Sequence, residues 1–135
     1  MITLSQTPEQ DIKAFLMQWL QLLADGRFDA AWQQIDLPDP AGFWSGERLE
    51  SYVHETYNPQ TRFYLEYPEG PIFTSPYELR AEEGIIDLWE WEDKDGFSAE
   101  QALCLNHEWS QLQAFFEFRK TSNGYAVMLT DMYVP

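Results

Sequence analysis

The stretch WSQLQAFFEFRKTSNGYAVMLTDMYV, residues 109–134, predicts a β-hairpin around which the rest of the chain is organised. Asn123-Gly124 is the dipeptide most typical of a two-residue type I′ turn, and segments of alternating polarity lie on both sides of it. A turn at these two residues places Phe116 opposite Asp131. Because successive side chains of a strand point to opposite sides, this register predicts one core face and one mixed face.

The predicted core face is apolar except for one carboxylate. Its members are Leu112, Ala114, Phe116, Phe118, Val127, Leu129, Asp131 and Tyr133. The mixed face is predicted to carry Gln113, Phe115, Glu117, Arg119, Met128, Thr130, Met132 and Val134. An exposed apolar patch on a sheet face tends to mark an interface. We therefore expect a weak homodimer through Phe115, Met128 and Met132.

Asp131 has two interpretations in this register. Burying an unpaired carboxylate is costly, so it must meet a hydrogen-bond donor or open onto water. The donors that helices or the hairpin could supply are Tyr52, Tyr57, Tyr133, Trp19 and Trp32. Alternatively, Asp131, Tyr133 and Trp19 line a pocket in which the carboxyl has a raised pKa. A β-bulge in the hairpin would instead send Asp131 to the outer face.

Three helices are predicted before the sheet. Thr7 begins the first, apolar residues then recur with the spacing of one helical face, and Gly26 ends it. A second, shorter helix stops before Pro38-Asp39-Pro40, and a third runs from Ser45 to Asn58-Pro59.

After residue 60 the hydrophobic period becomes that of strands. Gly84–Glu92 and Phe97–Leu105, joined by the turn Asp93–Gly96, precede the hairpin, and a short strand is expected around Ile72–Thr74. The sequence predicts one α+β domain over residues 1–135. Helices at about 8–57 pack on a curved, mostly antiparallel sheet at about 61–134.

The charge excludes some partners. Twenty-three acidic and eight basic residues leave a net charge of −15, and residues 66–108 alone hold twelve acids and two bases. Phosphate backbones and anionic membrane surfaces would be repelled, so we expect neither a nucleic acid nor a membrane as partner. A basic protein would be attracted. Solubility alone is the more general explanation of such acidity.

The acidic excess surrounds two tryptophans. Alternation predicts Trp89 in the core, whereas Trp91 lies near the turn and is expected to be exposed. An exposed aromatic ring in an acidic surround is typical of an interface with an anchor and steering charges. The predicted partner-binding surface is Glu78, Asp87, Glu90, Trp91, Glu92, Asp93 and Asp95.

The order of elements, a long amphipathic first helix, a short second one and C-terminal hairpins, resembles the NTF2-like (cystatin-like) family. That resemblance implies a cone in which the sheet wraps the first helix and leaves a pocket at its open end. Such domains often form dimers through the outer side of the sheet.

Two segments, Leu105–Leu112 and Leu129–Val134, resemble the closing signature of small bacterial domains associated with immunity loci of polymorphic toxins. Gln111, Gln113 and Tyr133 stand where that signature has Asp, Thr and His. The resemblance implies an immunity protein, and the acidic charge makes a basic cytoplasmic toxin such as a nuclease the expected partner. The sequence contains no apolar run long enough to span a bilayer and no signal-peptide pattern, so we expect a cytoplasmic protein.

Motifs for catalysis are absent from the sequence. His54 and His107 lie in no metal-ligand spacing, Asp93–Gly96 has its glycine at the wrong position for an EF-hand, and no glycine-rich phosphate loop occurs. We therefore expect no metal, no cofactor and no catalytic residue, and we favour a non-enzymatic binding protein. The alternative is an NTF2-like domain whose pocket binds or transforms a small molecule.

Overall fold

The computed structural model describes residues 2–3, 7–37 and 41–135, and it confirms the α+β architecture with helices before the sheet. The helices are α1 (Pro8–Ala24), α2 (Phe28–Gln33), α3 (Gly46–Thr56) and the short α4 (Ala81–Gly84), with 3₁₀ turns at Tyr64–Glu66 and Pro76–Glu78. The strands are β1 (Ile2–Thr3), β2 (Ile85–Glu90), β3 (Gly96–Leu105), β4 (Glu108–Lys120) and β5 (Gly124–Tyr133). The sheet is curved and open, every pairing is antiparallel, and the strand order is β1-β5-β4-β3-β2. The predicted break at Pro38-Asp39-Pro40 lies outside the described residues.

Helix α1 forms as its sequence predicts. Thr7 is the N-cap and Pro8 the first helical residue, although the Thr7 side chain makes no capping bond. Gly26 follows the helix end with a φ of +72°, a conformation that glycine adopts without steric cost. The apolar side of the helix lies on the sheet, where Phe15 packs edge-on against Phe118. This contact places α1 across the inner face of β4.

The turn of the terminal hairpin lies one residue earlier than predicted. Thr121 and Gly124 form the closing pair, with the Thr121 N–H donating to the Gly124 carbonyl at 2.7 Å. The Thr121 hydroxyl also accepts from the Asn123 and Gly124 N–H groups, at 3.3 and 3.1 Å. A threonine side chain that bonds the backbone ahead of it is a known turn-forming device. Ser122-Asn123 is therefore the turn, and neither Asn123 nor Gly124 has the positive φ that a type I′ turn needs at both central positions.

A β-bulge then changes the faces of β5. Moving the turn by one residue shifts each pair by two and leaves the faces unchanged, so Phe116 pairs with Leu129. Phe115 nevertheless pairs with Asp131, because Thr130 is the extra residue. From this point the predicted faces are wrong. Asp131 and Tyr133 are exposed, while Met132 is completely buried on the helix-facing side.

Candidate protein-binding surface

The residues from Glu78 to Asp95 form a continuous acidic segment, which we call the acidic edge. It comprises the end of a 3₁₀ turn, α4, the edge strand β2 and the turn into β3. All eight of its carboxylate side chains are exposed: Glu78, Glu82, Glu83, Asp87, Glu90, Glu92, Asp93 and Asp95. Its two bases are Arg80 and Lys94. The six acidic members of the predicted binding surface are thus brought together on one accessible segment.

The bases of the acidic edge contact carboxylates of the same segment. The Lys94 ammonium lies 3.3 Å from Glu90, and the Arg80 guanidinium lies 4.0 Å from Glu83. Both pairs are exposed, and exposed ion pairs contribute little to stability. The negative field of the segment is therefore reduced only locally.

The structure reverses the predicted roles of the two tryptophans. Trp89 pairs with Ser98 on the sheet face away from the helices and is 42% exposed, so its placement in the core is wrong. Trp91 is half-buried, because its ring lies over Gly96 and its indole N–H donates to the Ser98 hydroxyl at 2.8 Å. It is Leu88 that packs against the core from this strand. The exposed aromatic ring of the acidic edge is Trp89.

The sheet topology adds a structural role for these acids. β2 is the last strand in the order, and β3 is its strand neighbour. Charged side chains on an edge strand oppose pairing with a strand of another molecule. The acidic edge therefore discourages non-specific strand addition in addition to attracting positive charge.

The three predicted pocket residues are separated in the structure. Asp131 lies outside and its carboxylate accepts from the Met132 N–H at 2.8 Å, while Tyr133 is exposed and stacks on Phe115 at 4.5 Å. Trp19 is buried on the other side, where its indole N–H donates to the Ala31 carbonyl at 3.0 Å. None of the donors expected for a buried Asp131 is needed. The charge of Asp131 still reaches Tyr52, whose pKa is raised by burial and then by that carboxylate.

A pair of buried tyrosines was missed by the sequence reasoning. The Tyr67 hydroxyl donates to the Glu108 carboxylate at 3.0 Å, and the Tyr57 and Tyr67 rings contact edge to face at 4.8 Å. Burial raises the pKa of both phenols, that of Tyr57 to about 12, so both are protonated at neutral pH. The hydrogen bond between Tyr67 and Glu108 joins the end of the 3₁₀ turn at Tyr64–Glu66 to the start of β4. No local spacing could have predicted it, since Tyr67 and Glu108 are 41 residues apart.

The outer sheet face retains part of the predicted dimer patch. Phe115 and Met128 are half-buried there, but Met132 is not on this face, and the exposed Tyr133 takes its place. Acidic groups surround the patch, including Asp131 and Glu117, the second of which pairs with Arg119 at 3.2 Å. Apolar attraction and like-charge repulsion therefore oppose each other on this surface.

We expect self-association through this face to be weak and to strengthen with salt. Raising the salt concentration screens the repulsion between two acidic faces but leaves apolar contact intact. Sedimentation at high protein concentration should show a larger dimer fraction in 500 mM than in 20 mM NaCl. Phe115→Ser should remove the dimer, whereas the exposed control Gln111→Ser should not. A monomer under both conditions would contradict the expectation.

No cluster of three or more His, Cys, Asp or Glu side chains that could hold a metal ion occurs within residues 2–3, 7–37 and 41–135. Over those same ranges, no helix has both the length and the hydropathy required to cross a bilayer. No protein-family model, curated protein or solved structure is significantly similar to this chain. The NTF2-like resemblance and its association with immunity loci stay predictions.

Proposed function

We propose that this chain is a non-enzymatic binding protein that neutralises a basic toxin in the cytoplasm by covering its active surface. The observation that supports this proposal is the acidic edge, in which eight carboxylates are all exposed and are accompanied by only two bases. A toxin that acts on nucleic acid must itself present positive charge to phosphates. An acidic protein competes for that same surface.

Electrostatics favours such a complex before contact is made. Complementary charge steers two proteins together and raises the association rate by factors of about 10–10³, and the effect falls as salt is added. The net charge of −15 supplies a field of the required sign over the whole molecule. The acidic edge concentrates it at one place.

Trp89 is the residue that we propose as the anchor of the interface. Its ring is exposed next to Glu90 on β2, and tryptophan is enriched among the few residues that carry most of the binding energy in protein interfaces. The neighbouring Trp91 is held by the hydrogen bond from its indole N–H to the hydroxyl of Ser98, the residue that pairs with Trp89. The proposed division of roles is therefore aromatic contact by Trp89 and steering by the carboxylates around it.

The alternative function, a small-molecule pocket of the NTF2-like kind, loses the residue that suggested it. Asp131 does not point into the interior, and Trp19 and Tyr133 lie on opposite sides of the sheet. The Tyr67–Glu108 pair is the nearest equivalent of a tyrosine–acid site, and it lines none of the clefts described below. We therefore favour the binding protein.

The proposed function predicts that an adjacent reading frame encodes a toxin domain, and that domain is the partner for the test. Co-expression of this chain should restore the growth of cells that produce the toxin domain, and the two purified proteins should form a stable complex. Glu90→Lys combined with Glu92→Lys should lower the association rate about tenfold at low salt and weaken its salt dependence. The matched control is Glu66→Lys with Glu69→Lys, which changes the net charge equally at exposed positions outside the acidic edge.

Trp89→Ala should act on dissociation instead. Removal of an interface anchor costs about 2 kcal/mol or more, which corresponds to roughly 30-fold faster dissociation. Surface plasmon resonance separates the two rates. Equal effects of the acidic-edge and control charge reversals, together with an unchanged Trp89→Ala complex, would contradict this surface; absence of both growth protection and a complex would contradict the function.

A further inference from the structure

A groove runs along α1 on the side that faces residues 77–88, and its two halves differ in chemistry. The apolar half is a cleft of about 380 Å³ lined by Lys13, Ala14, Met17, Tyr77, Leu79 and Ala81. The acidic half, of about 280 Å³, is lined by Glu9, Lys13, Glu82, Ile85, Ile86, Asp87 and Leu88. Lys13 lines both halves, which are therefore adjacent clefts along the same side of α1.

The apolar half of the groove contains side chains that the rest of the chain leaves exposed. Tyr77 is 62% exposed at its rim, and Ala14 is exposed on the helix beside it. Its volume lies at the lower end of the range of roughly 300–1,000 Å³ that is typical of ligand sites. An open cleft of this size suits one or two apolar side chains of another protein.

The wall of the groove is fixed by hydrogen bonds in the free chain. The Ser75 hydroxyl donates to the Gln21 side-chain carbonyl on α1 at 2.6 Å, and the Trp109 indole donates to the Arg80 carbonyl at 3.1 Å. These bonds hold the segment that carries Tyr77 and Leu79 at both of its ends. A groove that is already formed loses little conformational entropy when it is occupied.

The charge around the groove defines the occupant. Glu9, Glu82 and Asp87 line the acidic half, and the exposed Glu78 and Glu83 of the acidic edge lie within a few residues of the apolar lining. Against these acids the groove contains one base, Lys13, and the exposed Arg80 lies between the lining residues Leu79 and Ala81, 4.0 Å from Glu83. An occupant must therefore be positively charged as well as apolar.

We propose that this groove receives a segment of the basic partner in which an apolar side chain is flanked by lysines or arginines. The apolar side chain enters the cleft between Met17 and Leu79, and the flanking cations contact Glu82 and Asp87. The proposal rests on the proposed function, because it names the chemistry by which the basic partner is recognised. It extends the binding surface from β2 to the exposed side of α1.

Two capped peptides test it with the intact chain, Lys-Arg-Leu-Arg-Lys and Lys-Arg-Ser-Arg-Lys, titrated while amide resonances are observed by NMR. The leucine peptide should bind about tenfold more tightly, with the largest shifts at Ala14, Leu79 and Ala81, because burial of the leucine side chain is favourable. Ala14→Trp fills the cleft without changing the charge and should abolish the difference between the peptides. Gln33→Trp, at an exposed position on α2 that lines neither half of the groove, should preserve it.

The other outcomes separate the two proposals. Equal binding of both peptides to the unmodified chain, or shifts centred on acids away from α1 and the acidic edge, would overturn the groove while leaving charge-driven binding of a basic partner intact. If neither peptide caused resonance shifts, the proposal that the groove binds basic segments would be overturned. The toxin complex described above would then decide the function independently.

Discussion

Replacement of Trp19 by alanine should lower the free energy of unfolding by about 3–5 kcal/mol, the range observed when a large buried aromatic side chain is truncated. The Trp19 side chain is completely buried, and its ring packs edge-on against Phe116 at 5.1 Å. Its indole N–H also ties α1 to the Ala31 carbonyl of α2. The substitution therefore removes a contact shared by the first two helices and the sheet. Urea denaturation followed by circular dichroism measures the loss.

Trp89→Ala is the matched control for this substitution. The same side chain is removed from an exposed position, and surface substitutions usually change stability by no more than about 0.5 kcal/mol. Trp19→Phe should recover most of the loss, because it retains an aromatic ring and the Ala31 carbonyl still accepts from the Gln34 N–H. Similar losses for Trp19→Ala and Trp89→Ala would mean that Trp89 belongs to the core after all.

Met132→Ala should cost about 2–4 kcal/mol, as is usual for truncation of a fully buried methionine. The bulge at Thr130 places this side chain against the helices, and no part of it is exposed. Asp131→Asn and Tyr133→Ala alter its exposed neighbours and should each change stability by less than about 0.5–1 kcal/mol. The free energies of unfolding of the three variants, measured by chemical denaturation, therefore test the register of β5.

The register predicted from the sequence alone makes the opposite claim. With Asp131 in the core, Asp131→Asn would weaken a charge-assisted hydrogen bond and cost about 1–3 kcal/mol, while Met132→Ala would be nearly neutral. A greater loss of stability for Asp131→Asn than for Met132→Ala would therefore contradict the bulge. It would also restore the pocket interpretation of Asp131, which makes this comparison relevant to function.

The exposed Trp89 and the groove beside α1 lie on the two sides of the edge strand β2, and they provide two kinds of proposed contact. Steering by charge acts over distances near the Debye length, about 8–10 Å at physiological salt, whereas the apolar cleft acts only at contact. Added salt should therefore lower the association rate more than it raises the dissociation rate. This combination is expected of a protein that must capture a basic partner quickly and hold it.

The local pattern of the sequence determined helices α1 to α3 and the general position of strands β2 to β5, whereas β1 and α4 were not predicted. Helix α1 shows why, since its start at Thr7-Pro8, its apolar periodicity and its end at Gly26 are all features of neighbouring residues. The exposure of the acidic edge was also predictable, because its carboxylates cannot be buried unpaired. These properties depend on interactions within a few residues of chain.

Tertiary contacts decided the register and therefore the faces. Thr121 moves the turn through a local contact that leaves the faces unchanged, whereas β1 pairs with Gly124 and Tyr125, and the Thr130 hydroxyl donates to the Phe115 carbonyl at the bulge. The backbone N–H groups of residues 36 and 37 also donate to the Val127 carbonyl on the side of β5 away from β4. None of these partners is visible in the alternation of β5 alone. A shift of one residue exchanges the two faces of a strand, so Asp131 and Met132 changed places.

Gly96 shows the same distinction at a single residue. The sequence suggested a turn glycine, but the positive φ in that turn is at Lys94, and Gly96 begins β3. A Cβ at Gly96 would collide with the Phe118 carbonyl and lie 2.9 Å from the Trp91 ring. Close packing between segments more than twenty residues apart therefore determines this glycine. Sequence patterns predict which elements form, whereas only the assembled sheet determines which side chains meet, because the free energy that selects a register comes from contacts distant along the chain.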